Sequence, residues 1–189
     1  MRKLTVCQRV LSNLEELKEI LLNQGFLPQD EYQIDDIYMI EKEVSLENIE
    51  EQFPDYIIIR EIVGKKSTLI FKQKEFDEKG EMIGYSKTNC PIVSCSDAYN
   101  LMQNLGYKKL LNLNVHNILF SNGKNEVIIE DVEGLGLYIE MHQNNFKLNH
   151  NNGETLDDMI NTLKKYDLPL DDSNYVVNKS YEMLKKNKE

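Results

Sequence analysis

The alternation of apolar and polar positions is cleanest between Val127 and His142, which reads V-I-I-E-D-V-E-G-L-G-L-Y-I-E-M-H. Two short runs flank a glycine-punctuated turn, Glu133-Gly134-Leu135-Gly136. Successive side chains of a strand point to opposite sides. The second run therefore puts Leu137, Ile139 and Met141 on one face and Tyr138, Glu140 and His142 on the other. In the first run, Ile128, Glu130 and Val132 oppose Val127, Ile129 and Asp131. The pattern predicts a hairpin with one apolar face and one face that carries carboxylates.

The same reading runs along the rest of the chain. Residues 3–11 predict a strand, with Leu4, Val6 and Val10 on one side and Thr5, Cys7 and Arg9 on the other. Ser12 then opens a helix, with Glu15 at capping-box spacing and Leu14, Leu17, Ile20 and Leu21 as its apolar stripe. Gly25 ends it. Residues 33–41 predict a strand, and 42–55 a short helix or loop ending at Pro54. Residues 56–62 and 67–74 predict a hairpin around Gly64-Lys65-Lys66, and Asp77 to Gly80 a further turn. Residues 81–93 predict a strand broken or edged by Pro91. A second helix runs from a Ser96 cap through Ala98, Leu101, Met102 and Leu105 to Gly106. The sequence of strand, capped helix and Gly-aromatic thus occurs twice, which suggests two related halves of one sheet. Residues 113–120 predict a strand before the turn at Asn122-Gly123. Residues 143–153 are loop-like. Thr155 caps a third helix, with Leu156, Met159, Ile160 and Leu163 as its stripe, and 174–186 predicts a last one. The count is about eight strands with helices between and after. That is an α+β fold in a single domain, 1–189, with an antiparallel sheet large enough to curl into a barrel-like tunnel.

Composition narrows the partners. The chain has 189 residues and a net charge of −10, which argues against nucleic acid as the main partner, since phosphate backbones want basic surfaces. The longest wholly apolar run, Tyr56 to Ile59, is too short to span a bilayer, and no signal peptide is visible, so the expectation is a cytoplasmic protein without membrane partners. The three cysteines, Cys7, Cys90 and Cys95, lack paired spacing and fit reduced thiols, each read as a small buried apolar residue. No P-loop, nucleophile-elbow or zincin motif occurs.

The segment D-V-E-G-L-G-L-Y-I-E resembles the D-x-V-x-G-L-G-x-F-x-E-x-E signature of the CYTH superfamily, the class IV adenylyl cyclases and thiamine triphosphatases. Four further pieces agree in order: a capped helix ending G-F after the first strand, D-I-Y at Asp36 to Tyr38, I-R-E before a hairpin leading to F-K, and S-Y-E-M-L near the end. The resemblance implies an eight-stranded antiparallel barrel, the triphosphate tunnel, with flanking helices. In it, inward basic residues hold a triphosphate and inward carboxylates hold Mg²⁺ or Mn²⁺. A triphosphate carries about four charges, so a water-poor site must supply opposing cations, and metal stabilises charge that moves during cyclisation or hydrolysis.

Carried over residue by residue, the match thins where the chemistry lies. The family's first-strand Glu-x-Glu-x-Lys falls on Thr5, Cys7 and Arg9 if the apolar phase is respected, or on Leu4, Val6 and Gln8 by ungapped spacing to Gly25. Either way both acids are gone. Arg-x-Arg becomes Ile58-x-Arg60, the lysine after the hairpin is Lys72, and the next Glu-x-Glu falls near Thr88 and Cys90. A later Lys-x-Arg falls near Asn114 and His116. The signature's aspartate shifts to Glu130, and the closing Glu-x-Glu is Glu140-x-His142. The resemblance thus implies Arg60, Lys72 and Arg9 as phosphate ligands and Glu130, Glu140 and His142 as metal ligands. Glu140 and His142 fit equally the polar side of an alternating strand. With roughly four acids missing, the expectation is a binding protein for a triphosphate or related organic phosphate, with catalysis weak or lost. An active cyclase or triphosphatase, and a structural or protein-interaction module, remain the alternatives. Family members are often dimers, so the resemblance allows a homodimer.

Overall fold

The computed structural model describes residues 5–45, 55–76, 78, 82–142 and 155–188. Eight strands and four helices follow in the order β1 (Thr5–Arg9), α1 (Leu14–Asn23), β2 (Leu27–Glu41), β3 (Tyr56–Ile62), β4 (Lys66–Phe76), β5 (Met82–Ile92), α2 (Cys95–Asn104), β6 (Tyr107–Ser121), β7 (Glu126–Val132), β8 (Gly136–His142), α3 (Leu156–Lys164) and α4 (Lys179–Lys186). The strands form one α+β sheet in the order β1-β8-β7-β6-β2-β3-β4-β5. The pairs β1–β8, β2–β3, β3–β4, β4–β5 and β7–β8 are antiparallel. Pro91 sits in β5, a terminal strand of that order, where a missing N–H costs no ladder bond on the outer side.

The chain divides into two compact units, one made of Gln33–Val115 with Lys179–Glu189 and Met1–Arg2, the other of Lys3–Tyr32 with His116–Asn178. Neither is a contiguous segment, because β2 and β6 each contribute residues to both. In the second unit, Val6 of β1 and Val10 just after it, Leu17 and Leu21 of α1, Val127 and Ile129 of β7, Ile139 and Met141 of β8, and Met159 and Leu163 of α3 share one core with Phe26, Ile118 and Phe120. In the first unit, Met39, Ile57 and Ile59 pack against Ala98 and Met102 of α2. Both helices end at a left-handed glycine before an aromatic residue: Gly25 has φ 80° and Gly106 φ 94°. That bears out the repeated helix-Gly-aromatic pattern.

Several boundaries differ from the expectation. The α1 cap is Asn13, which accepts from Glu16 N at 3.0 Å while the Glu16 carboxylate accepts from Asn13 N at 3.3 Å; Ser12 lies outside. The α2 cap is Ser94 rather than Ser96, and its oxygen accepts from Asp97 N at 3.2 Å. Of the apolar residues there, Ala98 and Met102 are buried, while Leu101 and Leu105 are 56% and 64% exposed. Cys90 is exposed and Cys95 half-buried, where both were expected to be buried; Cys90 lies across from Leu69 on β5, a terminal strand of the sheet order. Thr155 caps α3 as expected, in a capping box with Asp158. The last helix starts at Lys179, not 174. Residues ahead of it extend instead along the outer edge of β1, where Cys7 N donates to Tyr175 O at 3.0 Å and Val177 N donates to Cys7 O at 2.9 Å. The expected turn from Asp77 to Gly80, the loop at 143–153 with His150, and most of the 42–55 segment lie outside the described residues. No described helix is long and apolar enough to cross a membrane.

Candidate functional site

Each unit carries its own chemistry-bearing face. In the second unit that face belongs to β1, β8 and β7. Because Val6 and Val10 are tied into the core, the alternation turns Thr5, Cys7 and Arg9 to the opposite side. Antiparallel register then sets Thr5 across from His142, Cys7 across from Glu140 and Arg9 across from Tyr138. On the other side of β8, Glu130 stands across from Tyr138 and so lies diagonal to Glu140. Direct and diagonal neighbours are within side-chain reach in a sheet. The Cys7 thiol and the Glu130 and Glu140 carboxylates accordingly bring one donor atom each within 4.8 Å of one another. Cys7 is 4% and Glu130 9% exposed.

His142 touches this cluster from the side. Its Nε2 lies 2.7 Å from a Glu140 oxygen, and its Nδ1 lies 3.1 Å from the Thr5 hydroxyl. Arg9 turns towards the hairpin: one guanidinium nitrogen donates to Leu135 O at 2.9 Å and another to the Tyr138 hydroxyl at 2.6 Å. Its guanidinium carbon stands 4.9 Å from the centre of the Tyr138 ring, and Tyr138 is fully buried. His116, the residue at a substituted cation position, is 2.7 Å from Glu31.

In the first unit the face opposite Ile57 and Ile59 carries the cations. Arg60 grips Asp36 through two parallel bonds, Nε to Oδ1 at 2.7 Å and a terminal nitrogen to Oδ2 at 2.5 Å. Asp36 is directly across from Arg60 in the β2–β3 register. Tyr38 and Tyr56, 5.3 Å apart between ring centres, are buried beside this pair. Burial pushes both phenols well above their ordinary range, and the Asp36 charge adds to it. The side chain of Ser180, from α4, hydrogen-bonds the Tyr56 hydroxyl. Further along, Lys72 and Lys87 stand directly opposite each other across β4 and β5. Their ammonium groups lie 4.6 and 5.1 Å from the centre of the same Tyr85 ring.

Comparison with known proteins rests on structure. No family model matches the chain, and no curated protein does. Among solved structures, a candidate adenylate cyclase from Vibrio parahaemolyticus superposes with a TM-score of 0.68 at 14% identity, covering 98% of each chain. A second candidate adenylate cyclase, from Bacillus halodurans, gives 0.56 at 14% identity over 92% of this chain and 96% of that one. The fold is CYTH-like. The PH1819 protein from Pyrococcus horikoshii also matches, with a TM-score of 0.67 at 18% identity over 99% of both chains.

The structure brings together two of the three expected metal ligands of this CYTH-like fold, Glu130 and Glu140, and adds Cys7. It sets His142 against Glu140. Of the expected phosphate ligands, Arg60 and Lys72 lie on one face of the first unit, while Arg9 belongs to the second. Two residues escaped the sequence reading. Asp36 was in the D-I-Y motif, and its even spacing from Tyr38 was the signal that it shares that face. Lys87 carried no signal short of the β4–β5 register.

Proposed function

We propose that this protein binds an anionic organic phosphate through a CYTH-like fold and turns it over weakly or not at all. The observation that carries the reading is the opposed pair Lys72 and Lys87 on the face that also bears Arg60. Two ammonium groups set directly across a sheet can each give a multivalent phosphate a charge-assisted hydrogen bond. Weak turnover follows from what surrounds the cations. Arg60 already spends two donors on Asp36. On the first strand, Thr5 and Cys7 stand where the resemblance implies two carboxylates.

Calorimetric titration with tripolyphosphate, ATP and inorganic phosphate tests binding. The expectation is tripolyphosphate and ATP ahead of phosphate, with Lys72→Ala weakening both by roughly tenfold or more, the worth of one charge-assisted bond. No binding at millimolar ligand, or binding indifferent to Lys72→Ala, overturns the reading. Incubation with ATP and Mn²⁺ tests turnover: cyclic AMP or phosphate well above a Glu140→Ala control would make the protein an active cyclase or triphosphatase. A second reading, a protein-interaction module, is favoured by the exposed Leu101 on α2 and Leu105 at its C-cap, and absence of any phosphate ligand would leave it standing.

A further inference from the structure

We propose that Cys7, Glu130 and Glu140 form a thiolate-containing site for a borderline-soft divalent ion, Zn²⁺ in preference to Mg²⁺. This inference does not rest on the phosphate reading. Three donor atoms from three adjacent strands converge within 4.8 Å of one another, close enough that a small side-chain adjustment lets one ion touch all of them at bond lengths of about 2.0–2.3 Å. The donor set, one sulfur and two carboxylates, decides the metal. Magnesium demands oxygen ligands in octahedral order and sheds water reluctantly, whereas thiolate ligands select zinc and its neighbours. Three protein donors is also the count of a zinc site that keeps a fourth position for water or an exogenous anion.

The surroundings suit such a site. Cys7 is fixed at both backbone groups by Tyr175 O and Val177 N on the outer edge of β1, while β8 pairs along the inner one, so the sulfur has little freedom to swing away. His142 is a positioning residue rather than a ligand. Its Nε2 holds Glu140 at 2.7 Å while the Thr5 hydroxyl holds its other nitrogen. Ligating carboxylates are commonly oriented by such an outer partner. On binding, the thiol proton leaves to solvent and two Glu–metal bonds and one S–metal bond form, with no change of oxidation state.

Cobalt titration of the full chain provides the test. The expected result is one equivalent of Co²⁺ bound with a sulfur-to-metal charge-transfer band in the near ultraviolet, displaced by stoichiometric Zn²⁺ and untouched by a large excess of Mg²⁺. The band should vanish in Cys7→Ser and persist in Cys90→Ser and Cys95→Ser, which rules out the other thiols. Glu130→Gln should weaken zinc affinity on the order of tenfold or more while the band remains. His142→Ala should weaken it by roughly 10–100-fold, also with the band intact. Circular dichroism and melting curves of each variant separate loss of the site from loss of the fold, and Glu130→Gln keeps the test decisive if Cys7→Ser folds poorly. A band that survives Cys7→Ser, no cobalt binding by the wild type, or displacement by Mg²⁺ at concentrations like those of Zn²⁺ would each overturn the proposal.

Discussion

The Asp36–Arg60 pair makes a prediction in which the double variant is far less damaged than the sum of the singles. Asp36 is 3% and the Arg60 side chain 27% exposed. Replacing Arg60 by Leu leaves a carboxylate beside Tyr38 and Tyr56 without its bidentate partner. Removing one member of a buried pair costs about 3–5 kcal/mol, and so small an exposure puts this variant near ~4 kcal/mol. Replacing Asp36 by Leu removes the guanidinium's bidentate partner instead. About a quarter of that side chain reaches water already, so the cost falls to ~2 kcal/mol. Independent effects would add to ~6 kcal/mol in the double variant. Two leucines across β2 and β3, however, remove both charges and their desolvation together, and hydrophobic replacement of a buried pair is often close to neutral. The double variant should therefore lose less than ~3 kcal/mol and be more stable than Arg60→Leu alone, a coupling of ~3 kcal/mol. Urea unfolding of the four proteins measures it, and the melting temperature of Arg60→Leu should fall by roughly 8–16 °C at this chain length. If Arg60→Leu lies within ~1 kcal/mol of wild type, or the double variant sits at the sum of the singles, the pair is not the buried, mutually dependent unit described here.

Three further outcomes follow from the geometry. Tyr38 and Tyr56 have their phenol pKa values raised, chiefly by burial, so they keep their protons where the unfolded chain, with ordinary values near 10, gives them up. The stability they confer is whole below about pH 10 and is lost as pH rises toward their folded values. Spectrophotometric titration should find two of the ten tyrosines ionising only as the fold melts, and simultaneous titration of all ten would contradict it. At α3, the backbone N–H and then the hydroxyl of Thr155 hold the Asp158 carboxyl below its usual value, so the box stabilises above the ordinary aspartate range and fades as pH falls through the lowered one. Thr155→Ala should cost ~1 kcal/mol at neutral pH and show a flatter acid limb in denaturant titrations. Met159 is fully buried in the second unit's core, and Met159→Ala should cost ~3 kcal/mol through lost contacts and the cavity left behind, read as a lower midpoint at unchanged slope in urea.

Where burial wrote the pattern, the sequence could be read. The Val127–His142 hairpin shows its two faces because Ile129, Ile139 and Met141 are in the core while Glu130 and Glu140 are not part of that cluster. Where pairing rather than burial makes the strand, it could not. The first five residues of β2, from Leu27 to Glu31, are exposed and carry no alternation. The α1 cap was ambiguous for a local reason: S-N-L-E-E offers two overlapping boxes, Ser12 with Glu15 and Asn13 with Glu16, and only the second is formed. Residues 168–178 were hidden as partners of β1 because a strand edge is completed by segments distant in sequence, and nothing in P-L-D-D-S-N-Y-V-V states which edge it will cover. The sites followed the same division. Glu130 and Glu140 stand out on their own strands, whereas Asp36 with Arg60, Lys72 with Lys87, and Cys7 with Glu140 exist only once register is known.

Register on β1 also decides what the carboxylates meet. Side-chain period in a strand is two, so a slip of one residue would exchange the faces entirely. The slipped arrangement would bring Leu4, Val6 and Gln8 to Glu140 and push Arg9 into the core. It would give up Val6 and Val10, which are buried with Ile139 and Met141, at about 1.5–3 kcal/mol for each side chain. It would also break the Arg9 bonds to Leu135 and Tyr138. Gln8 tolerates the core side because its amide nitrogen donates to Asp171 O at 3.2 Å, a carbonyl of the segment that lines the β1 edge. The apolar phase therefore fixes the chemical one. That packing delivers the Cys7 sulfur to Glu130 and Glu140, on a strand that offers no acid in either register.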